Sequence, residues 1–240
     1  MKNISLVVGG TKGIGSVIAT QLKKRGDIVY TLSRSSRKKN NINIDLSKDK
    51  NNIDKILLHY LKEKKIKFDN IVFSQRFRGD NYLDEFNVSL HSSKNLIESL
   101  LKIKAITKSI IFISSISTAT ILDDQDVDYH TSRSAIVEMA KYYAVKLGPR
   151  GIRSNCILPT KIIKPENKNF YIKKNNPITK MMKLITPLSR MGDSIDVANL
   201  VDFLTSDKSS YITGVSIPLD GGARLQSHES IANIYRSKIR

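Results

Sequence analysis

Short apolar runs rich in β-branched residues alternate with longer amphipathic stretches along the whole chain, and this alternation restricts the fold more than any other feature. In the first amphipathic stretch, Ile14, Ile18 and Leu22 recur at helical spacing. Strands that are separated by helices pair in parallel, and the helices then cover both faces of the sheet. The sequence therefore predicts an α/β fold, a three-layer, doubly wound arrangement around a mostly parallel sheet.

The predicted strands cover residues 4–8, 27–33, 42–44, 70–73, 109–114, 152–158 and 215–219. Helices are predicted from residue 14 and over 51–64, 84–103, 128–147 and 194–205. Only RSSRKKNN separates the second and third strands, which leaves little room for a crossover helix. With no internal repeat or linker, residues 1–240 are predicted to form a single domain. The Lys-, Asn- and Pro-rich segment 161–186 is too long for a plain connector and is a candidate lid.

The glycine-rich segment VGGTKGIG (8–15) follows the first predicted strand and opens the first helix. Gly9 permits a tight turn, Gly13 lets the backbone approach a pyrophosphate, and Gly15 allows close packing of helix on strand. The helix N-terminus offers N–H groups and a positive dipole end to phosphates. A tight turn without a ligand is the alternative. The residues expected around a dinucleotide pyrophosphate are Gly9, Thr11, Lys12, Gly13, Ile14 and Gly15.

The end of the second predicted strand bears on which dinucleotide would bind. An acidic side chain there would bind the ribose hydroxyls and repel a 2′-phosphate, but the chain has Ser33 followed by Arg34. A guanidinium suits bidentate phosphate binding, and Lys12 adds a second positive charge nearby. We therefore predict NADP(H) in preference to NAD(H). The alternative is that Arg34 is an ordinary surface arginine.

The composition is strongly basic, with a net charge of +18 and a pI near 9.9. The basic residues are scattered, and neither a zinc-finger spacing nor an Arg-rich tail accompanies them. The best explanation of the positive charge is a surface of solvated lysines. Binding of a small anionic ligand is the second explanation, and specific nucleic-acid binding is the third. Nucleic acid is therefore not an expected partner.

Cys156 is the one cysteine, which excludes an intramolecular disulfide and suits a reducing compartment. It lies in a buried strand pattern and is expected to be an inert thiol. No apolar run approaches a membrane span, and the apolar stretch 4–8 is too short for a signal peptide. No His, Cys or Asp cluster has metal-ligand spacing, and His130 is expected to lie exposed on a helix face. We predict a cytoplasmic protein without a membrane segment or a metal.

Five segments occur in order across nearly the whole chain: VGGTKGIG, FISSISTATILDDQDVDYHTSR, AVKLGPRGIRSNCILPT, TPLSRMG and SSYITGVSIPLDGG. Together they resemble the ordinary-length short-chain dehydrogenase/reductase family. The resemblance implies a Rossmann fold, a nicotinamide cofactor and interconversion of an alcohol and a ketone. It also implies a homotetramer or homodimer in which helices 84–103 and 128–147 pair across a two-fold axis. FSQRFRGD and ARLQSHESIA resemble a branch associated with bacterial surface-sugar biosynthesis.

The resemblance also implies roles for individual residues. Ser115 would hydrogen-bond the substrate oxygen, Tyr129 would be the general acid or base, and Asn87 matches the family's active-site asparagine. Without the family, Ser115 would be read as a capping residue and Tyr129 as an aromatic residue at a helix start. The other residues that the resemblance places at the cofactor are Asp45, Ser74, Gln75, Pro159, Ile162 and Lys164, besides Tyr129 and Arg133.

The chain departs from the family pattern at two positions. Arg133 stands where the family's Tyr-x-x-x-Lys has lysine. A cation beside a tyrosine stabilises the phenolate, and Arg133 would still do this and bind ribose hydroxyls, but arginine does not release a proton, so a proton relay through it is in doubt. Arg76 replaces the glycine of Asn-Asn-Ala-Gly, where it would either crowd the cofactor or attract an anionic substrate.

Two functions remain open on the sequence. The first is NADP(H)-dependent alcohol–ketone interconversion on a small polar substrate, phosphorylated or derived from a sugar. The second is a catalytically weak dinucleotide-binding protein that acts as a sensor or oligomer partner, which the two departures favour. An anionic substrate is suggested by Arg76, Arg78, Lys161 and Lys164, and solvated surface charges are the alternative.

Overall fold

The computed structural model describes residues 2–37, 39–48, 52–64, 66–77, 79 and 81–239. Its centre is a seven-stranded sheet in the order β3-β2-β1-β4-β5-β6-β9, and every neighbouring pair is parallel. The strands are β1 (Ile4–Val8), β2 (Ile28–Ser33), β3 (Asn41–Asn43), β4 (Phe68–Phe73), β5 (Ile106–Ile113), β6 (Arg153–Pro159) and β9 (Ser216–Leu219). The short strands β7 (Ile162–Ile163) and β8 (Gly192–Asp193) form a separate parallel pair.

Helices connect most of these strands. They are α1 (Gly13–Arg25), α2 (Ile53–Lys64), α3 (Tyr82–Phe86), α4 (Ser92–Lys102), α5 (Val127–Leu147), α6 (Lys168–Tyr171), α7 (Pro177–Ile185), α8 (Ser194–Leu204) and α9 (His228–Ile239). A π-helical turn, Asn87–His91, joins α3 to α4. Within the described residues between β2 and β3 there is no helix, as the short RSSRKKNN connection predicts.

Each face of the sheet packs against its own helices. On one face, α2, α4 and α5 contribute buried side chains such as Leu57, Leu100 and Ile136. On the other face, Ile18 and Leu22 of α1 meet Val201 and its neighbours on α8. Burial of one such aliphatic side chain stabilises the fold by about 1.5–3 kcal/mol. The two cores confirm the predicted three-layer, doubly wound architecture.

Two regions differ from the sequence-based expectation. The helix predicted over 84–103 is interrupted, because the chain makes a π-helical turn at Asn87–His91 before α4. The segment 161–186, which is predicted to be more than a plain connector, holds two helices, α6 and α7. One of them, α7, begins where Asn176 accepts a hydrogen bond from the Thr179 N–H and Pro177 occupies the first helical position. The C-terminal helix α9 was not predicted either.

The strand order places a ligand site at one edge of the sheet. From β1 the sheet extends to β2 on one side and to β4 on the other, so the chain reverses its winding direction between β1 and β4. In open parallel sheets, ligands bind outside the carboxyl ends of the strands at this reversal. The glycine segment 9–15 follows β1 at this end, and Ser74 follows β4.

Candidate active site

The glycine turn after β1 has the shape that a phosphate cradle needs. Gly9 has φ +75°, and a Cβ atom there would lie 2.9 Å from the backbone of Gln75. A Cβ at Gly15 would collide with the carbonyl of Gly9. Helix α1 begins at Gly13, its N-cap residue Lys12 makes no side-chain capping bond, and its first turn holds no acidic residue. The helix therefore presents uncapped N–H groups and its positive dipole end to the site.

A second segment lies over this cradle. The position of a Cβ atom on Gly13 is 3.2 Å from Oε1 of Glu166 and 3.8 Å from Cδ of Lys164. Both residues belong to a short turn around Pro165 that follows β7 within the 161–186 segment. A carboxylate is a favourable occupant of a helix N-terminus, because the dipole and the N–H groups attract negative charge. Glu166 thus lies where a pyrophosphate would approach α1.

The far end of the cradle is positively charged. Ser33 ends β2 and donates a hydrogen bond to Oδ1 of Asn41 at 3.0 Å, and the next residue, Arg34, is exposed. Burial opposes ionisation of Asp45, but hydrogen bonds from Ser47 and the charges of Arg34 and Lys48 outweigh it and lower the pKa of Asp45. The structure therefore brings Arg34 and Asp45 into one electrostatic neighbourhood beyond β2 and β3.

The other end of the cleft contains Tyr129. This residue lies in the first turn of α5, is half-buried, and lines a cavity of about 500 Å³. Ser115 follows β5, is buried, and accepts a hydrogen bond from the Ser117 N–H at 3.1 Å. Ser115 thus caps a short turn, which is the role predicted for it when the family resemblance is set aside. Its hydroxyl oxygen retains a second lone pair that can accept a hydrogen bond from a ligand.

Arg133 is held by a buried cluster of one carboxylate and two serine hydroxyls. Its side chain is 3 % exposed, and Nη2 donates to Oε1 of Glu85 at 2.5 Å and to Oγ of Ser89 at 2.7 Å. The same carboxylate oxygen accepts from Ser89 at 2.8 Å and from Ser132 at 2.9 Å. Cζ of Arg133 lies 5.1 Å from the ring centroid of Tyr129. The substituted arginine is therefore beside the tyrosine, but with its charge paired.

The π-helical turn decides which side chains meet Arg133. Ser89 and Glu85 contact its guanidinium, whereas no hydrogen bond joins the half-buried side chain of Asn87 to a described residue. Such turns insert a residue into the helical repeat and occur often at functional sites. The sequence reasoning chose Asn87 and missed Glu85 and Ser89. The available signal was the i, i+4 spacing of Glu85 and Ser89, which places both on one face of a helix.

Arg76 lies in the loop after β4, at the mouth of the same cleft. Its Cζ is 4.9 Å from the ring centroid of Tyr129, and Nη2 donates to Oε1 of Gln125 at 2.9 Å. The preceding Gln75 donates from Nε2 to Oγ of Ser93 at 2.7 Å and to the Val88 carbonyl at 3.3 Å. Gln75 therefore ties the end of β4 to the π-helical region, while the Ser74 N–H bonds the Val8 carbonyl of β1 at 3.0 Å.

The remaining predicted residues lie around the mouth. Pro159 and Ile162 are buried at the end of β6 and in β7, and Lys164 lines the cavity. Lys161 forms an ion pair with Asp124 at 3.2 Å. Arg78 lies outside the described residues. The carboxylates that line the cavity are Glu85, Asp124, Asp126, Asp128 and Glu166.

The expectation of an exposed His130 is wrong. The residue is half-buried, and its ring nitrogens lie 3.1 Å from the Ser117 carbonyl oxygen and 3.3 Å from the Leu122 N–H nitrogen. The loop after Ser115 folds back over the first turn of α5 and encloses the ring. His130 therefore anchors the loop that carries Ser115 to the helix that carries Tyr129.

Cys156 is fully buried in β6, and burial raises the pKa of its thiol to about 12, in agreement with an unreactive cysteine. Across the described ranges, no group of three or more His, Cys, Asp or Glu residues could hold a metal ion. In the same part of the chain, every helix is too short or too polar to cross a membrane.

Known proteins are similar to this chain in sequence and in fold. A family profile described as "Enoyl-(Acyl carrier protein) reductase" matches residues 74–224. Oxidoreductase UcpA of Salmonella typhimurium is 34% identical over 51% of this chain and 48% of its own length, so the chain spans about half the length of the first curated relatives that it matches. A tropinone reductase homolog of Arabidopsis thaliana is 28% identical over 91% of this chain and 90% of its own length.

The fold comparison agrees. The crystal structure of a short chain dehydrogenase family protein from Francisella tularensis has a TM-score of 0.78 to this chain and 27% identity, and it covers 94% of this chain and 100% of its own. The profile, these relatives, the glycine turn at the β1–β4 reversal and the pairing of Tyr129 with a cation on α5 all point to one family. The chain belongs to the short-chain dehydrogenase/reductase family of oxidoreductases.

Proposed function

We propose that the chain is an NADP(H)-dependent oxidoreductase that interconverts an alcohol and a ketone on a small polar substrate. The observation that carries the proposal is the position of Tyr129. It lines a cavity of about 500 Å³ together with Lys164 and Glu166, which themselves lie against Gly13 of the phosphate cradle. A proton donor and a dinucleotide cradle thus share one cleft.

The reaction needs a hydride transfer and a proton transfer, and the residues in the cleft suit both. A bound nicotinamide would donate or accept the hydride. Tyr129 would protonate the carbonyl oxygen in the reducing direction and accept the hydroxyl proton in the other. Ser115 would hold the same oxygen by a hydrogen bond. Positioned proton transfer of this kind contributes about 10²- to 10⁴-fold to a rate.

The cradle fits a dinucleotide, and its charge favours the phosphorylated form. A Cβ at Gly9 or Gly15 would fill the turn, and α1 presents uncapped N–H groups. Lys12 and Arg34, which are both exposed, would face the ribose end of a bound dinucleotide. The end of β2 carries Ser33 and Arg34 in place of the carboxylate that an NAD(H) site places on the ribose.

The mouth of the cleft is mixed in charge, which bears on the substrate. Asp124 pairs with Lys161, whereas Arg76 contacts the neutral amide of Gln125. Carboxylates nearby would bind hydroxyl groups, and the guanidinium would bind a single phosphate or carboxylate. A sugar-like molecule with one anionic group meets both requirements.

We also propose a homodimer or homotetramer that uses the outer face of α5. Tyr142 and Val145 on this helix are 58 % and 75 % exposed, so this face presents two apolar side chains close together to a partner. Val145→Glu should lower the molar mass measured by light scattering. An unchanged mass would contradict this interface.

The function is tested by following NADPH absorbance with a panel of phosphorylated, carboxylated and neutral hydroxy-ketones. Turnover that Tyr129→Phe abolishes, while the affinity for NADPH stays the same, is the expected result. Activity confined to neutral ketones would contradict an anionic substrate.

The catalytically weak alternative is favoured by the pairing of Arg133 with Glu85. It predicts NADPH binding without turnover of any ketone in the panel. In that case Arg133→Lys would be the variant expected to gain activity, because lysine restores the family's proton-releasing cation.

A further inference from the structure

Two guanidinium groups lie close to the ring of Tyr129. Cζ of Arg76 is 4.9 Å from the ring centroid, and Cζ of Arg133 is 5.1 Å from it. Arginine keeps its charge over the whole pH range in which proteins are folded. Distance alone therefore does not decide which of the two cations stabilises the phenolate form of Tyr129.

The partners of the two arginines differ. Nη2 of Arg133 bonds Oε1 of Glu85 at 2.5 Å, and the exposed fractions of these two side chains are 3 % and 10 %. A close pair of opposite charges has little net field at a third group, because the two Coulomb interactions have opposite signs and similar size. The charge of Arg133 is therefore largely cancelled at Tyr129.

The positive charge of Arg76 is not cancelled by an ion-pair partner among the described residues, so it acts on Tyr129. Its guanidinium donates to the neutral carboxamide of Gln125 at 2.9 Å. In the described part of the chain, no carboxylate forms an ion pair with it. The position is also distinct in the family pattern, since Arg76 stands where a glycine is expected. An arginine there reaches the tyrosine from the end of β4, whereas Arg133 reaches it from α5.

We propose that Arg76, and not Arg133, is the cation that stabilises the phenolate of Tyr129, so that Arg133 serves as a buried anchor for Glu85. Arg76 is thus a positioning residue that acts through Tyr129. The proposal rests on the acid–base role proposed above for Tyr129. It explains how the family's lysine could be replaced by a paired arginine without leaving the tyrosine unsupported.

Other ionisable groups also face the tyrosine, and they are the same in every variant of the test except Glu85→Gln. Tyr82 and Glu85 come from α3, and His130 follows Tyr129 on α5 with ring centroids 6.2 Å apart. The carboxylates oppose phenolate formation, and Lys164 favours it. The remaining charged groups that line the cavity are Asp124, Asp126, Asp128, Lys164 and Glu166.

The test is a spectrophotometric titration of Tyr129 in the full chain, without cofactor or substrate. Tyrosinate absorbs in the near ultraviolet, and the difference between each protein and its Tyr129→Phe counterpart isolates one of the nine tyrosines. Arg76→Gln should move this titration to higher pH, by less than the loss of a buried charge would, because Arg76 is exposed. Arg76→Lys should restore most of the shift.

Two further variants separate the roles. Lys108→Gln makes the same charge change at the start of β5, where Lys108 bonds Asn3 and Asp69, and should leave the titration in place. Glu85→Gln unmasks the charge of Arg133 and should move the titration to lower pH. Salt at about 1 M, with a Debye length near 3 Å, should shrink the effect of Arg76→Gln, because the side chain is exposed.

A titration that Arg76→Gln moves no further than Lys108→Gln does would overturn the proposal, whether or not Glu85→Gln folds. The ketone panel is measured separately on the same variants. If the titration shifts as expected but no ketone is turned over, the proposed function fails and the role of Arg76 stands. If turnover is found and the titration does not shift, the proposed function stands and the role of Arg76 fails.

Discussion

The two ends of the cleft differ in which part of the chain forms them, the backbone at one end and side chains at the other. At the glycine end, the shape comes from the backbone: Gly9 has φ +75°, and α1 begins at Gly13 with uncapped N–H groups. At the tyrosine end, the arrangement comes from side chains on separate elements. Arg133 of α5 is held by Glu85 of α3 and by Ser89 of the π-helical turn.

This difference predicts different sensitivities. Backbone N–H groups and a helix dipole persist through side-chain changes nearby, so each neighbouring charge tunes affinity by a modest factor. A proton donor and a buried ion pair each depend on single side chains. Removal of the donor side chain stops proton transfer, and removal of one partner of the ion pair leaves a buried charge unpaired. Single substitutions at the tyrosine end should therefore cause large losses of turnover or stability, whereas those at the glycine end should change cofactor affinity by modest factors.

The largest expected effect is at Tyr129. Tyr129→Phe removes the proton donor and should lower kcat by about 10²- to 10⁴-fold, while the dissociation constant for NADPH changes little. Steady-state rates and fluorescence titration of NADPH measure the two quantities. Tyr211→Phe, at a fully exposed tyrosine before β9, is the matched control and should keep the parent rate. A large loss of NADPH affinity in Tyr129→Phe would show that the two ends are not independent.

Glu85→Ala should have the next largest effect, on stability. It leaves the buried guanidinium of Arg133 without its carboxylate, which costs about 3–5 kcal/mol when one member of a buried pair is removed. Urea unfolding measures the free energy. Glu98→Ala breaks an exposed pair with Lys94 and should cost less than about 1 kcal/mol. Equal losses in the two variants would mean that the buried cluster is not a structural anchor.

Arg34→Asp should change cofactor selectivity without abolishing binding. A charge-assisted bond to a 2′-phosphate is worth about 1.5–3 kcal/mol, so NADPH affinity should fall by about ten- to a hundredfold. NADH lacks that phosphate, and its affinity should change little. Isothermal titration of both cofactors to parent and variant gives the comparison. Equal affinities of the parent for NADPH and NADH would contradict the predicted preference for NADP(H).

The same contrast explains what the sequence revealed. The constraint on Gly15 is local, because it packs against the carbonyl of Gly9 six residues earlier, so the strand–turn–helix pattern predicts it. Gly9 is limited by its φ of +75° and also by the backbone of Gln75 after β4, which local spacing does not show. The seven parallel strands follow from equally local apolar runs. Glu85 was missed because its role depends on α3 packing against α5, 48 residues further along the chain. Periodicity alone could not show the π-helical turn, since apolar spacing within 84–103 remains close to helical.

Glu166→Gln is the smallest expected effect and tests the glycine end most directly. Oε1 of Glu166 lies 3.2 Å from the Cβ position of Gly13, over the N-terminus of α1, so its carboxylate competes with a pyrophosphate for the same dipole. Removal of that charge should tighten NADPH binding about two- to fivefold, which corresponds to the roughly 0.3–1 kcal/mol that a charge gains at a helix terminus. The advantage should shrink at high salt, because Glu166 is exposed. Glu229→Gln makes the same charge change at the first turn of α9 and should leave the affinity unchanged. Weaker binding in Glu166→Gln would instead show that the carboxylate helps to hold the 161–186 segment over the bound dinucleotide.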